Sequence, residues 1–382
     1  MRVAIITDTY FSTNGVCRTY QEMAKYCRNK KIQLDIFTIG KKKAKQKNKT
    51  VTIYQFPTSW PVKYYYDLPP FDIKIIPQGF KEELLKTNYD LFHFATPASL
   101  GIAARFILLN NPKPKVGIFH TMIAEYAASW THKNLEKFPA ALKNQVAGFS
   151  QATMWQFLKW FYAKMDLVLA PSLEVKNHLK ILNRPIDIFP HGVDTEKFNP
   201  RYKNSKTKNK IPVALYVGRL SIEKNLDLLV KVFKEKKEVK LWLVGDGPYK
   251  KGLKSQLPKA KFFGYLQGKN LSTTYANADF FVFPSITDTF GNVVLEAQAS
   301  GLPTIVTNVG GPQELVKNGI NGLIVKPKTK EFGRTIDLLS QDEKTRNFMA
   351  KNALENAKQH TWSKAFDKLF ATYKKLCNKK IT

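Results

Sequence analysis

What most constrains this chain is a rhythm. Short apolar runs stop at a glycine or a polar turn, a stretch of helical period follows, and the unit repeats through both halves of the sequence. Residues 3–7, VAIIT, are nearly all apolar and do not alternate, which fits a strand buried on both faces of a parallel sheet. Similar runs predict strands at 34–38, 91–94, 116–119, 167–170 and 186–189, and again at 213–217, 239–244, 261–263, 278–283, 304–307 and 322–325. Helical patterns run from the first turn to about residue 27, over 130–164 and over 226–233. Strand and helix in alternation predict an α/β protein of two doubly wound domains. The polar stretch 199–210, NPRYKNSKTKNK, marks the boundary. Domains are therefore expected at 1–200 and 201–360, with a helix and basic tail over 361–382.

A length of 382 residues suits two domains of ordinary size. The 61 basic and 30 acidic residues give a net charge of +31, a field that attracts nucleic acid, anionic lipid or phosphorylated substrates. Solvated lysines on helix surfaces account for the same charge without any partner. Cys17, Cys27 and Cys377 are odd in number and far apart, which points to a reducing, intracellular compartment. The apolar start is too short for a signal peptide, and no run of 18 apolar residues exists to span a membrane. The lysine run KKKAKQKNK at 41–49 reads as a solvated loop. Behind it come Tyr54, Phe56, Trp60, Tyr64, Tyr65, Tyr66 and Phe71. Lysines beside exposed aromatics fit an anionic membrane surface, and also single-stranded nucleic acid. The aromatic segment 130–164, interrupted by Lys133, Lys137, Lys143, Lys159 and Lys164, is expected to be mostly core with a basic outer face. Part of it could be interfacial.

Chemistry concentrates at 281–301. A strand ends at Pro284, a polar turn follows, and after Gly291 a helical segment covers 292–299. The first N–H groups of a helix have no internal partners and bind anions. Asp288 and Glu296 bracket this turn. Arg219 and Lys224, past the strand at 213–217, are two cations able to hold a diphosphate. The chain has neither Asp-x-Asp nor a Gly-x-x-x-x-Gly-Lys-Ser/Thr loop, which argues against an acidic metal clamp and a P-loop hydrolase. A diphosphate leaving group would then be stabilised by Arg, Lys and helix dipoles. Gly15, in the Asn14-Gly15 turn, would let a phosphate or sugar approach the backbone, or it simply makes a tight turn. His120 ends the strand at 116–119, where α/β sheets carry ligand groups. Contact with substrate and a structural hydrogen bond are both open to it.

Asp288-Thr-Phe-Gly-Asn-Val-Val-Leu-Glu296 resembles the acid-x7-Glu motif of the retaining glycosyltransferases of family 4. The likeness extends to Asn14-Gly15-Val16, His120-Thr121, Gly192-Val193-Asp194, Val217-Gly218-Arg219-Leu220, Glu223-Lys224, Gly245-Asp246-Gly247-Pro248, Phe263-Gly264 and Pro284-Ser285. It implies the GT-B fold: two Rossmann-like domains facing a cleft, acceptor-binding first and nucleotide-sugar-binding second, with the C-terminal helix packed back on the first. It also implies that Glu296 binds ribose hydroxyls and Asp288 those of the transferred sugar. Backbone N–H groups of Phe290, Gly291, Asn292 and Val293 meet sugar or diphosphate, and Arg219 and Lys224 neutralise the diphosphate. Gly15 reaches the donor, the loop at Gly264 and Tyr265 touches the base, and His120 lies near the reacting centre. No metal or other cofactor is expected. The Asp-Thr-Phe-Gly-Asn form is similar to lipid-directed mannosyltransferases using GDP-mannose and to sulfoquinovosyl and glucosyl relatives. The resemblance thus implies a hexose moved to an acceptor lipid or glycan, from a peripheral position on the cytoplasmic face of an anionic membrane. The alternatives are UDP-glucose as donor to diacylglycerol or a soluble sugar and, from other classes, a phosphorylase or a basic nucleic-acid-binding protein. Nucleic acid is not the expected partner. Two departures stand out: Asp288 replaces the usual Glu, and Met122 stands where relatives often carry an acid.

Overall fold

The computed structural model describes residues 1–12, 15–57, 77–135, 138–204 and 211–379. Asn14, Trp60, Tyr64, Tyr65, Tyr66, Phe71 and Lys137 lie outside them, as do the side chains of Trp130 and Lys133. The strands are β1 (Arg2–Ile6), β2 (Gln33–Gly40), β3 (Ala44–Asn48), β4 (Val51–Pro57), β5 (Leu91–Phe94), β6 (Lys115–Ile118), β7 (Leu167–Ala170) and β8 (Ile186–Ile188) in a first sheet. A second sheet holds β9 (Val213–Val217), β10 (Lys240–Val244), β11 (Lys261–Gly264), β12 (Phe280–Phe283), β13 (Thr304–Thr307) and β14 (Gly322–Val325). The orders are β3-β4-β2-β1-β5-β6-β7-β8 and β11-β10-β9-β12-β13-β14. Every neighbouring pair is parallel except β3 with β4. In each sheet the order reverses beside one strand, β1 in the first and β9 in the second. Chains leave such a switch point in opposite directions and open a crevice at the strand ends.

The chain divides into Met1–Pro190 with Ala365–Thr382, and His191–Lys364. The first unit ends ahead of the boundary expected at 200, and residues 191–200 belong to the second. Val193 donates its N–H to the carbonyl of His360 at 2.8 Å and bridges to Thr361, and Phe198 is buried in the second core. The described part of the polar stretch, residues 199–204, therefore belongs to the second unit. The C-terminal helix runs Trp362–Lys379, and from Ala365 onward it belongs to the first unit, as expected. There Tyr26 packs against Phe366 and Phe370, with ring centroids 5.4 and 5.7 Å apart, and donates its hydroxyl to Asp367 at 2.6 Å.

Three expectations for the first unit are corrected. The lysine run at 41–49 is not a plain loop, because Ala44–Asn48 pairs antiparallel with β4 as an edge strand. Exposed lysines on such an edge discourage further pairing. Tyr54 and Phe56 are not surface aromatics: both are buried in β4, stacked on Phe37 at 4.8 and 6.3 Å. The aromatic segment is two helices, Ile123–Asn134 and Ala140–Tyr162, with Pro139 capping the second. Of this second helix only Ala147, Leu158, Phe161 and Tyr162 are buried. Its outer face is apolar rather than simply basic: Phe138, Leu142, Val146 and Phe149 are exposed, Phe149 to 74%. Leu142, Val146 and Phe149, spaced by four and three residues, lie on one side of the helix, and Phe138 lies just ahead of it.

Candidate active site

In the second unit, adjacent parallel strands β9 and β12 end beside each other at the switch point. Both strands are fully apolar and buried, so their C-terminal loops leave from a rigid base. The β9 loop carries Arg219 and Lys224, and the β12 loop carries Asp288. Lys224 Nζ donates to both carboxylate oxygens of Asp288 at 2.9 Å, with the side chains 13% and 22% exposed. Asn225 Nδ2 donates to the Pro284 carbonyl at 3.1 Å, and Thr287 Oγ1 donates to the Glu223 carbonyl at 3.1 Å. Glu223 also lies 3.8 Å from an Arg219 terminal nitrogen. The two loops are thus laced together, and each expected phosphate-binding cation has a carboxylate beside it.

The helix Asn292–Ala299 starts immediately after this turn. Gly291 precedes it with φ 89° and ψ 57°, a left-handed backbone that suits glycine. Among the described residues, no protein acceptor meets the N–H groups of Phe290, Gly291, Asn292 and Val293. The N–H groups of Asn292 and Val293 therefore stand open at the helix's positive end, with those of Phe290 and Gly291 just ahead of it. Glu296, one turn further on, is buried and accepts the Tyr275 hydroxyl at 3.0 Å. Gly264 has φ 71° at the end of β11, and Tyr265 beside it is exposed. They stand at the sheet edge, with β10 between them and β9.

Three contributors to this site escaped sequence reasoning. Gly310 and Gly311 lie against the β12 loop. The Gly311 N–H donates to the Asp288 carbonyl at 2.9 Å, and a Cβ on Gly311 would sit 2.0 Å from the Thr289 oxygen. The Gly-Gly-Pro sequence was a turn signal that could have drawn attention. His191 is buried, bonds Asn292 Oδ1 through Nδ1 at 3.1 Å, and lies against Phe290 and Trp362. Burial lowers its pKa to about 4, so the ring is neutral and Nδ1–H is the donor.

His120 and Gly15 lie in the first unit. Gly15 is exposed and opens the helix Gly15–Asn29. His120 is half-buried just beyond β6, its Nε2 3.2 Å from the Tyr20 hydroxyl. Met122 packs against the first core. Past β1, Asp8 is buried, and its carboxylate accepts the Thr96 hydroxyl at 2.8 Å and the Leu100 N–H at 3.0 Å. Burial raises its pKa to about 6, against these hydrogen bonds.

The chain thus forms two doubly wound α/β units, and the switch point of the second offers donors, cations and acids complementary to an anionic, hydroxylated ligand. Residues 13–197 match the family model described as Glycosyltransferase Family 4, and residues 198–356 match Glycosyl transferases group 1. The GDP-mannose-dependent alpha-mannosyltransferase of Corynebacterium glutamicum is 32% identical over 305 residues, covering 76% of this chain and 68% of that protein. Sulfoquinovosyl transferase SQD2 of Arabidopsis thaliana is 30% identical over 328 residues, covering 81% of this chain but only 61% of that protein's length. The alpha-monoglucosyldiacylglycerol synthase of Streptococcus pneumoniae is 27% identical over 334 residues, covering 80% and 70%. Among solved structures, a sucrose-phosphate synthase of Thermosynechococcus elongatus superimposes with TM-score 0.78 over 98% of this chain and 99% of its own, at 18% identity. The chain belongs to the glycosyltransferases, and its fold is GT-B.

Proposed function

We propose that this glycosyltransferase moves a hexose, mannose from GDP-mannose, to a hydroxyl of a membrane lipid or glycolipid with retention at the anomeric carbon. The observation that carries the donor assignment is the helix start at Phe290–Val293, whose four N–H groups adjoin the Lys224–Asp288 pair. A diphosphate accepts from those donors and from Arg219 and Lys224. Glu296, buried one turn along, takes ribose hydroxyls, and Asp288 takes hydroxyls of the transferred sugar. Departure of the nucleoside diphosphate builds negative charge that these groups stabilise, so the reading requires no metal ion. Same-face attack by the acceptor, assisted by the leaving phosphate, accounts for retention. Mannose is favoured by the C. glutamicum relative's name, and UDP-glucose remains the alternative through the streptococcal one.

The membrane acceptor is supported by the exposed stripe Phe138, Leu142, Val146 and Phe149 on a chain of net charge +31. Apolar side chains enter the headgroup boundary while lysines meet anionic lipid. No described helix is long and apolar enough to cross a membrane. We place the protein peripherally on the cytoplasmic face. The deciding experiment is a panel of nucleotide sugars, read by thermal stabilisation and by product analysis with lipid acceptors. GDP-mannose giving both the largest stabilisation and an α-linked product supports the reading. Stabilisation by UDP-glucose alone moves the donor assignment to glucose, and stabilisation by no nucleotide sugar overturns it.

A further inference from the structure

A buried chain of hydrogen bonds runs through the first unit and ends at His120. The Tyr373 hydroxyl, in the C-terminal helix, lies 2.6 Å from Nδ1 of His93, in the middle of β5. His93 Nε2 lies 2.6 Å from the Tyr20 hydroxyl, and that hydroxyl lies 3.2 Å from Nε2 of His120. Tyr20, His93 and Tyr373 are all buried at 1% exposure or less. Burial keeps both tyrosines well above their ordinary pKa and lowers His93 to about 3, so all three are neutral.

Neutrality and the number of donors fix the direction of the chain. Among the described residues the Tyr373 hydroxyl has no hydrogen-bond partner other than His93 Nδ1. A buried hydroxyl proton left without an acceptor is costly, so Tyr373 donates to Nδ1. A neutral imidazole that accepts at Nδ1 carries its proton on Nε2. His93 therefore donates to the Tyr20 oxygen, and the one proton of Tyr20 is left to donate to His120 Nε2. We infer that Tyr373, through His93 and Tyr20, fixes the tautomer of His120, which accepts at Nε2 and carries its proton on Nδ1. Tyr20, His93 and Tyr373 are positioning residues, and none of them touches a reacting group. Resting on the proposed role of His120 near the transferred sugar, the inference is that His120 meets an oxygen of the substrate as a donor from Nδ1.

The test uses the full chain labelled with 15N-histidine. Long-range 1H–15N spectra distinguish the two neutral tautomers, and the His120 signals are assigned by their loss in His120→Gln. The expected result is the Nδ1–H pattern for His120 and the Nε2–H pattern for His93. The Nε2–H pattern at His120 overturns the inference. This spectrum needs no activity and no folded tyrosine variant, so it decides the tautomer even if the glycosyltransfer reading fails. The kinetic arm uses Tyr20→Phe, Tyr373→Phe and the double variant. Each single change should lower kcat about tenfold, the lower end of what losing an orienting partner costs, with donor KM unchanged. The double variant should be no slower than Tyr20→Phe alone, since cutting the relay at Tyr20 already isolates His120. Losses that multiply, or changes confined to thermal stability, overturn the relay.

Discussion

Lys224 has two demands on one ammonium: it is already paired with Asp288, and the proposed donor brings a diphosphate to it. Lys224→Met keeps the stem and removes the charge. At 2.9 Å and an effective dielectric of about 20, the gross attraction to Asp288 is about 6 kcal/mol, most of it offset by desolvation. With side chains 13% and 22% exposed, the pair sits between an exposed pair, worth about 0–1 kcal/mol, and a buried one whose rupture costs about 3–5 kcal/mol. Lys224→Met should therefore destabilise the ligand-free protein by about 1–3 kcal/mol, a fall in Tm on the order of 2–12 °C for a unit of this size. A charged hydrogen bond to phosphate contributes about 1.5–3 kcal/mol, so the Kd for GDP should weaken on the order of 10- to 100-fold. Asp288→Asn separates the two demands. It releases Lys224 from its carboxylate, so GDP binding should tighten while transfer of the sugar falls. Calorimetric titration with GDP, beside thermal melts of each variant, measures both. A Lys224→Met protein with lowered Tm but unchanged GDP affinity would refute the reasoning, leaving Lys224 as a structural partner of Asp288.

Gly311→Ala places a Cβ 2.0 Å from the Thr289 carbonyl, a backbone atom with little room to move. It should cost about 1–3 kcal/mol and weaken nucleotide binding, read by melts and titration. Asp8 has a folded pKa of about 6 against an ordinary value of 3.8, so between those values the folded state holds the extra proton. Stability should fall as pH rises from about 4 to 6, by about 3 kcal/mol in all, and Asp8→Asn should remove that slope in denaturant titrations. His191 has the opposite sign: folded near 4 and unfolded near 6.5, it costs stability as pH drops through that window, and His191→Gln should flatten the acid limb of the second unit's melt. Leu142→Ser with Phe149→Ser should reduce sedimentation with phosphatidylglycerol vesicles severalfold, with no change in GDP affinity. Equal sedimentation of the variant would remove the stripe from the membrane contact.

The strands at 91–94, 167–170, 213–217, 304–307 and 322–325 and the helices at 226–233 and 292–299 fall where the sequence placed them. All but the half-buried edge strand at 322–325 are buried along their whole length, so local composition and tertiary burial agree. The misses are cases where they disagree. Ala44–Asn48, AKQKN, has no β-branched or aromatic residue, and it is a strand because β4 offers it a partner. The helix Ala140–Tyr162 is rich in aromatics, and its sequence does not say which face its neighbours cover. Tyr54 and Phe56 followed a lysine run and looked exposed, but β-pairing turned them onto Phe37.

The site divides along the same line. Gly291, the helix start and Glu296 were legible because strand, turn and helix are contiguous there. The Lys224–Asp288 pair joins residues 64 apart in sequence, so the cation and the acid were read as serving different parts of one ligand. Their contact gives the replacement of the usual Glu by Asp288 a physical meaning. Both Asp288 oxygens accept from Lys224 Nζ at 2.9 Å, which places the carboxylate facing the cation on the neighbouring loop. A carboxylate offers about four acceptor positions, and Lys224 fills two of them. The remaining two are enough for hydroxyls of a bound hexose, provided those hydroxyls approach from the side away from Lys224. On the proposed reading, the acid that orients the sugar also holds the cation that meets the phosphate. A change at Asp288 should then shift hexose preference and diphosphate affinity together, which a longer acid anchored elsewhere would not do.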